Sequence, residues 1–206
     1  MKATPKIMRT RLAKLRPTQM TVGFAEVKQK RRDWKKVAKD DRGAFLENHA
    51  FPAVKGPGER FFITDHHHLG RALLEEEVET VFVSYTRDLS NLALDEFWVV
   101  LDHLQLVHPY DAEGVRRFFA DMPRKLTKLT DDPYRSLSAE VRRAGGYAKE
   151  TAPFSEFLWA DFFRRRIPAT VLTGSPDAAL ARALDLSHSA EAEHLPGWSG
   201  AHDSAG

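Results

Sequence analysis

The sequence predicts an α+β protein in which the first 90 residues mix strands with helices and residues 91–195 are mostly helical. Residues 78–85 (VETVFVSY) form a β-branched run, the clearest strand pattern in the chain. A Gly/Pro-rich turn at residues 55–59 separates two apolar runs, as in a hairpin. After residue 88, segments with helical periodicity alternate with prolines and strand signals are few.

The elements of the first part follow from local patterns of apolar residues and turn formers. We expect a strand within residues 7–20 that stops at Pro17, and then a helix over 22–38 capped by Thr21. A helical turn through Leu46 and a hairpin over 51–64 should follow. The next helix should begin within Asp65–His68, and the strand 78–85 ends this part. In the second part we expect helices over residues 92–104, 111–120, 133–144, 153–166 and 176–186, and a flexible Gly/Ser-rich tail over 196–206.

Composition excludes several classes of protein. The chain of 206 residues has no cysteine, which rules out a disulfide scaffold, a thiolate metal site and a cysteine nucleophile. It has no run of about 18 apolar residues, so we expect no membrane span. Its basic N-terminus lacks the apolar segment of a secretory signal, and we expect a cytoplasmic protein.

Charge is distributed unevenly. The first 42 residues contain fourteen basic and four acidic residues, whereas the rest of the chain is acidic overall. The predicted helix over 22–38 places its basic residues on one face, which suggests a nucleic-acid contact; a solvated helix face is the alternative. The residues of this basic face are Lys28, Arg31, Arg32, Lys35 and Lys36.

The strongest local feature is the junction at which a strand ends at Asp65 and a helix begins within His66, His67 and His68. The first amides of a helix are unpaired donors at the positive end of its dipole, so this junction predicts an anion site. Asp65 would cap the helix or ligate a metal. Three adjacent imidazoles entering a helix diverge, which disfavours an all-histidine metal site, and any single histidine can instead be packed or capping.

Known catalytic loops are absent from the sequence. It contains no G-x-x-x-x-G-K-[ST] or G-x-G-x-x-G phosphate loop and no H-E-x-x-H zinc motif. It also has no nucleophile elbow for serine catalysis. The Gly56–Gly58 segment is most simply a hairpin turn.

Three segments together resemble one family. They read LRPTQMTVGFAEVKQK, FPAVKGPGERFFITDHHHLGRALLE, and DDPYRSLSAEVRRAGGYAK followed by PFSEFLWADFFRRR. This order resembles the ParB-like nuclease family of the ParB/sulfiredoxin superfamily over residues 10–195. The resemblance implies a ParB/sulfiredoxin-like phosphate-binding domain over residues 1–90, a helical extension over 91–195 packed on it, and the tail.

The resemblance also implies roles for particular residues. The superfamily holds phosphate with a box at a helix start after a hairpin, and Asp65–His68 with Arg71 occupies that place. His66, His67, His68 and Arg71 would then bind nucleotide or phosphate. His66 stands where the box has glycine. The lack of cysteine excludes sulfiredoxin activity.

Catalysis is implied in the same way. Asp65, His67 and Glu26 would be catalytic, with Mg²⁺ on Asp65 and Glu26. Glu26 is a candidate because kinase-like relatives use a glutamate in the N-terminal segment to activate an acceptor hydroxyl. A helix-surface ion pair with Lys30 is the alternative role for Glu26.

Three functions stay open at this stage. The first is phosphoester chemistry, either hydrolysis of a nucleic acid or phosphorylation of a small hydroxyl compound, as in free-serine kinases. The second is a non-catalytic nucleotide- or DNA-binding module related to chromosome-partitioning ParB. The third is an interaction platform whose helical part forms a homodimer surface or a lid.

Overall fold

The structure is a computed structural model that describes residues 4–200. It confirms the α+β class. The chain divides into two compact units, Met1–Asp131 and Asp132–Gly206. The sequence had suggested a boundary near residue 90. The structure places the division later because the helix and loops after residue 90 share an apolar cluster with the sheet of the first unit.

The first unit contains a mixed five-stranded sheet and a small parallel ladder. Its strands are β1 (Lys6–Arg11), β2 (Arg16–Pro17), β3 (Thr21–Val22), β4 (Phe51–Gly56), β5 (Arg60–Ile63), β6 (Thr80–Asp88) and β7 (Thr130–Asp131). The large sheet has the order β1-β6-β4-β5-β2, and β3 pairs with β7 in parallel. The antiparallel pairing of β4 with β5 confirms the predicted hairpin, whose turn needs the left-handed Gly58 at φ 68°.

The α-helices of the first unit, within the residues that the structure describes, are α1 (Phe24–Lys36), α2 (Arg42–Asn48), α3 (His67–Glu75) and α4 (Leu94–His103). Their positions agree with the predicted helical segments. The predicted cap of α1 is wrong, because Thr21 lies in β3 and the N-cap is Gly23, which has no side chain to offer. The Phe24 amide donates instead to Asp131 Oδ1 at 2.7 Å.

The alternation of side chains along β5 separates two apolar clusters. Phe61 and Ile63 face the larger cluster, which includes Trp34 of α1 and Leu73 of α3. Phe62 points the other way. On that side it meets the ring of Phe97 in α4 at a centroid distance of 4.5 Å. The sheet is therefore covered on both faces within the first unit.

The helix predicted over residues 111–120 is wrong. The Asp111 carboxylate accepts hydrogen bonds from the amides of Glu113 (3.1 Å) and Val115 (2.8 Å), and Gly114 has φ 75°. This local bonding closes a turn that competes with a helix. A short 3₁₀ turn, Phe119–Asp121, follows.

The second unit is helical: α5 (Pro133–Arg143), α6 (Ser155–Arg164), α7 (Ala169–Gly174) and α8 (Pro176–Ser187). Helices α5, α6 and α8 were predicted, whereas α7 was missed. Asp132 caps α5 by accepting from the amides of Tyr134 and Arg135, and Pro133 occupies the first turn. The core surrounds Trp159 and Phe163, which are fully buried.

The segment after residue 195 makes contacts within the second unit. The Trp159 indole donates to the carbonyl of Pro196 at 2.8 Å, and the Ala148 amide donates to the carbonyl of Gly197 at 2.7 Å. The flexibility of residues 196–206 stays a prediction, and residues 201–206 lie outside the described part. Among residues 4–200, no helix has the length and apolar character needed to cross a bilayer.

Candidate functional site

The candidate site lies where β5 ends and α3 begins. His66, the N-cap of α3, has φ 64° and ψ 23°, a left-handed conformation that glycine adopts easily. A side chain in this region costs roughly 1–2 kcal/mol of backbone strain. Here a histidine, and not a glycine, adopts this conformation at the N-cap of α3. Strained residues of this kind often cluster at binding sites.

His66 is held by aromatic neighbours. Its ring meets Phe51 edge-on at a centroid distance of 5.8 Å and lies 6.5 Å from the ring of His49. Burial lowers the pKa of His66, and the positive charge of Lys30 lowers it further, although nearby Asp65 opposes this. The Nδ1 atom is buried and has no hydrogen-bond partner among the described residues.

His67 is a positioning residue in this structure. The side chain is buried, and its Nε2 accepts a hydrogen bond from the Thr18 amide at 3.1 Å. A second hydrogen bond joins the ring to the backbone of Ile63, and burial lowers the pKa of His67 to about 3. The ring is therefore neutral and bonded on both sides. This geometry does not fit the catalytic or phosphate-binding role expected of His67.

His68 and Glu26 come together between the starts of α3 and α1. The His68 Nε2 atom lies 3.2 Å from Glu26 Oε2, and both side chains are largely buried. The Gly23 amide donates to the same nitrogen at 3.0 Å. That bond requires a lone pair on Nε2, whereas the carboxylate favours a proton there. Whether Nε2 carries a proton therefore decides which of these two hydrogen bonds forms.

The first turn of α3 has no side-chain cap. Asp65 is exposed, and its Oδ1 accepts a hydrogen bond from the His66 amide at 2.6 Å. His66 precedes the first residue of α3, so this hydrogen bond occupies none of the amides of the helix itself. Among residues 4–200, no acceptor contacts the amides of His67 and Leu69. The positive end of the α3 dipole therefore retains donors for an anion.

The Arg71 side chain is bonded to residues outside the first turn of α3. Its Nε donates to Glu75 at 2.8 Å, and its Nη1 donates to the carbonyls of Thr127 at 2.9 Å and Leu129 at 3.3 Å. The guanidinium also lies 5.3 Å from the ring centre of Phe24. These contacts join α3 to the 126–129 turn. They do not fit the phosphate-binding role expected of Arg71.

The expected Mg²⁺ ligands do not form a metal site. Glu26 pairs with His68, and Asp65 bonds to its own turn. In the part of the chain that the structure describes, no group of three or more His, Asp or Glu side chains is arranged to hold a metal ion. The residues present therefore do not fit a Mg²⁺ centre built on Asp65 and Glu26.

The predicted basic face of α1 is only partly available. Arg31 pairs with Glu75 at 2.9 Å and Glu76 at 2.6 Å, and Lys35 lies 3.3 Å from Glu76. A hydrogen bond from Arg31 holds the pKa of Glu76 below its usual value. Three members of the face remain exposed and lack a carboxylate partner within the described residues, namely Lys28, Arg32 and Lys36.

An open cleft of about 580 Å³ lies elsewhere in the first unit. Its lining includes Met20, Asp121 and Pro123, and none of the residues predicted from the sequence lines it. Its Arg117 forms an ion pair with Asp111, and Glu113, Asp121 and Lys128 also line the cleft. We place the candidate site at the start of α3, where the histidines predicted from the sequence lie, and not in this cleft.

Comparison with known proteins shows the family to which the chain belongs. The model of the family described as "Putative ParB-like nuclease" matches residues 8–165. The chain belongs to this ParB-like nuclease family. It is also similar to a solved structure, that of protein Atu1540 from Agrobacterium tumefaciens, with 50% identity and a TM-score of 0.90 over 95% of this chain and 97% of that one. No curated protein matches the chain.

Proposed function

We propose that the protein binds a phosphate group of a nucleotide or nucleic acid at the start of α3 and catalyses phosphoester chemistry there. One observation carries the proposal. The protein's own side chains occupy the first amides of α1, through His68 and Asp131, whereas no side chain caps α3. An uncapped helix start beside titratable side chains is suited to a negatively charged ligand.

The Glu26–His68 pair supplies the proposed acid–base chemistry. A water or hydroxyl group that hydrogen-bonds to the Glu26 carboxylate would pass its proton to the pair as its oxygen attacks phosphorus. The bond from phosphorus to the leaving oxygen would break at the same time, and the leaving group would depart with that oxygen, either as a nucleoside diphosphate or as an alcohol that takes a proton from solvent. Phosphoryl transfer depends mainly on positioning and on neutralising negative charge, which the α3 amides would provide. Attack by water gives hydrolysis, and attack by a small hydroxyl compound gives a kinase reaction.

A second candidate function is nucleic-acid binding without catalysis. It is favoured by the exposed residues Lys28, Arg32 and Lys36 of α1. It is also favoured by the lack of a carboxylate cluster among the described residues that could hold catalytic metals. In that case the Glu26–His68 pair would serve only to join α1 to α3.

The binding step can be tested by thermal denaturation with phosphate, ATP and CTP, each with and without Mg²⁺. A ligand at about 100 times its Kd should stabilise the protein by about 2.7 kcal/mol, a shift of roughly 5–10 °C. We expect His66→Asp, which places a negative charge at the helix start, to abolish the shift. His66→Asn, of the same size but uncharged, should retain it. Equal responses of the two variants, or no shift in the wild type, would contradict the proposal.

The catalytic step requires a separate variant. Glu26→Gln keeps the shape of the side chain but removes its basicity, so it should retain nucleotide binding and lose hydrolysis or transfer to hydroxyl acceptors. Unchanged turnover in Glu26→Gln would exclude the pair from catalysis. Binding without turnover in the wild type would favour the second candidate.

A further inference from the structure

Three arginines converge at the β2 edge of the large sheet. The strand β2 runs parallel to β5 with Arg16 opposite Phe62, so Arg60 lies two residues earlier on the neighbouring strand. Arg16 donates through Nη1 to the carbonyl of Arg124. The Arg60 guanidinium lies over the hairpin turn, where a Cβ added to Gly58 would be 3.2 Å from its Nη1.

These arginines lack the carboxylate partners that other arginines of the first unit have. Arg31, Arg71 and Arg116 each form an ion pair. Within residues 4–200, no carboxylate lies within ion-pair distance of Arg16, Arg60 or Arg124.

Glu59, the acidic residue directly before Arg60 in the sequence, forms an ion pair with Lys55 at 2.6 Å. Burial lowers the pKa of Arg16, and the positive charges of Arg60 and Arg124 lower it further. A bound anion would relieve this repulsion.

The segment that carries Arg124 also carries an exposed aromatic ring. Phe118 is 83% exposed, the largest exposure among the apolar side chains of the described residues. The Phe118 amide donates to Asp121 Oδ2 at 3.2 Å, which fixes the turn that leads to Arg124. Phe118 stands six residues before Arg124 in the chain, and an exposed aromatic ring offers a surface on which an unpaired base can stack.

We propose that Arg16, Arg60 and Arg124, with Phe118, form a second phosphate-binding site that takes the backbone of a single-stranded nucleic acid. The guanidinium fork matches phosphate oxygens in pairs. Arg16 is two residues from Thr18, and at the rise of a β-strand this separates their backbones by about 7 Å. The Thr18 amide donates to His67 at the start of α3, so the arginines lie close to the first site along the chain. This inference rests on the proposed function, because one strand would occupy both sites.

The test uses the full chain and a short fluorescein-labelled oligo(dT), with affinity measured by anisotropy at several salt concentrations. Arg60→Gln/Arg124→Gln removes two exposed charges. It should weaken binding roughly tenfold at low salt and reduce the salt slope by about 1.4, since each phosphate contact to a single strand contributes about 0.7. Phe118→Ala should weaken binding with little change in slope. The matched control, Lys149→Gln/Arg182→Gln, removes two exposed charges of the second unit and should leave both quantities unchanged.

The outcomes separate this inference from the proposed function. Unchanged affinity and slope in the arginine variant, or equal loss in the control, would overturn the second site. So would binding of a matched duplex as tight as that of oligo(dT), or no oligo(dT) binding by the wild type. The thermal shift with ATP tests the α3 site by itself. Loss of oligo(dT) binding with a retained ATP shift would support two sites.

Discussion

The starts of α1 and α3 lie side by side in the first unit and are built in opposite ways. At α1, the amides of Gly23 and Phe24 donate to His68 and Asp131, so the protein itself satisfies the helix. At α3, a left-handed His66 precedes a first turn without a side-chain cap. The difference suggests that one helix start is structural and the other is kept open for a ligand.

The largest effect should come from His67, which holds the open helix start in place. His67→Ala would leave a cavity and an unpaired Thr18 amide in the core, so the free energy of unfolding should fall by about 3 kcal/mol. Urea denaturation measures this loss. His67→Gln, which keeps an acceptor near Thr18, should lose less. Equal losses in the two variants would show that the hydrogen bond to Thr18 contributes little.

The second effect concerns pH. The pKa of His67 is about 3 in the fold, against an ordinary value of 6.5. Between pH 6.5 and 5 the unfolded chain binds a proton that the folded state excludes. Stability should therefore be complete above pH 6.5 and fall by about 1.4 kcal/mol per pH unit below it, or about 2 kcal/mol over this window. The lowered pKa of His66 acts in the same direction.

The pH profile of the His67→Gln variant provides the control. Its free energy of unfolding, measured over the same window, should depend less steeply on pH than that of the wild type. Parallel profiles for the two proteins would mean that His67 does not dominate this dependence.

The smallest effect should come from removing the side-chain acceptor at the start of α1. Asp131→Ala removes the acceptor of the Phe24 amide and should lower the free energy of unfolding by about 1 kcal/mol. Asp131→Asn keeps an oxygen acceptor and should lose less. Phosphate binding at α3 should be unchanged in both variants. A weaker thermal shift with phosphate in either variant would mean that the two helix starts do not act separately.

Local patterns in the sequence predicted the elements that build the site. The hairpin turn, the helix beginning at the histidines and the β6 strand depend on neighbouring residues, and each appears where expected. Glu26 and the histidines were identified, and the structure brings Glu26 and His68 together. The residues involved are 42 positions apart, so their contact was not visible in the sequence.

The remaining features depend on distant partners. Asp131 caps a helix 107 residues earlier in the chain, which no local pattern signals. The resemblance to the family predicted that Arg71 binds phosphate, but its guanidinium donates to carbonyls of the 126–129 turn. The predicted helix over 111–120 failed for a local reason, since Asp111 and Gly114 together favour a turn. Those two residues were the available signal.

The docking of residues 196–198 has a practical consequence for optical experiments. Trp159 and Trp198 belong to the second unit, whereas Trp34 and Trp98 are buried in the first. Because the Trp159 indole bonds to the carbonyl of Pro196, its fluorescence should report whether this end of the chain is in place. Replacing either pair by phenylalanine would give each unit its own spectroscopic signal.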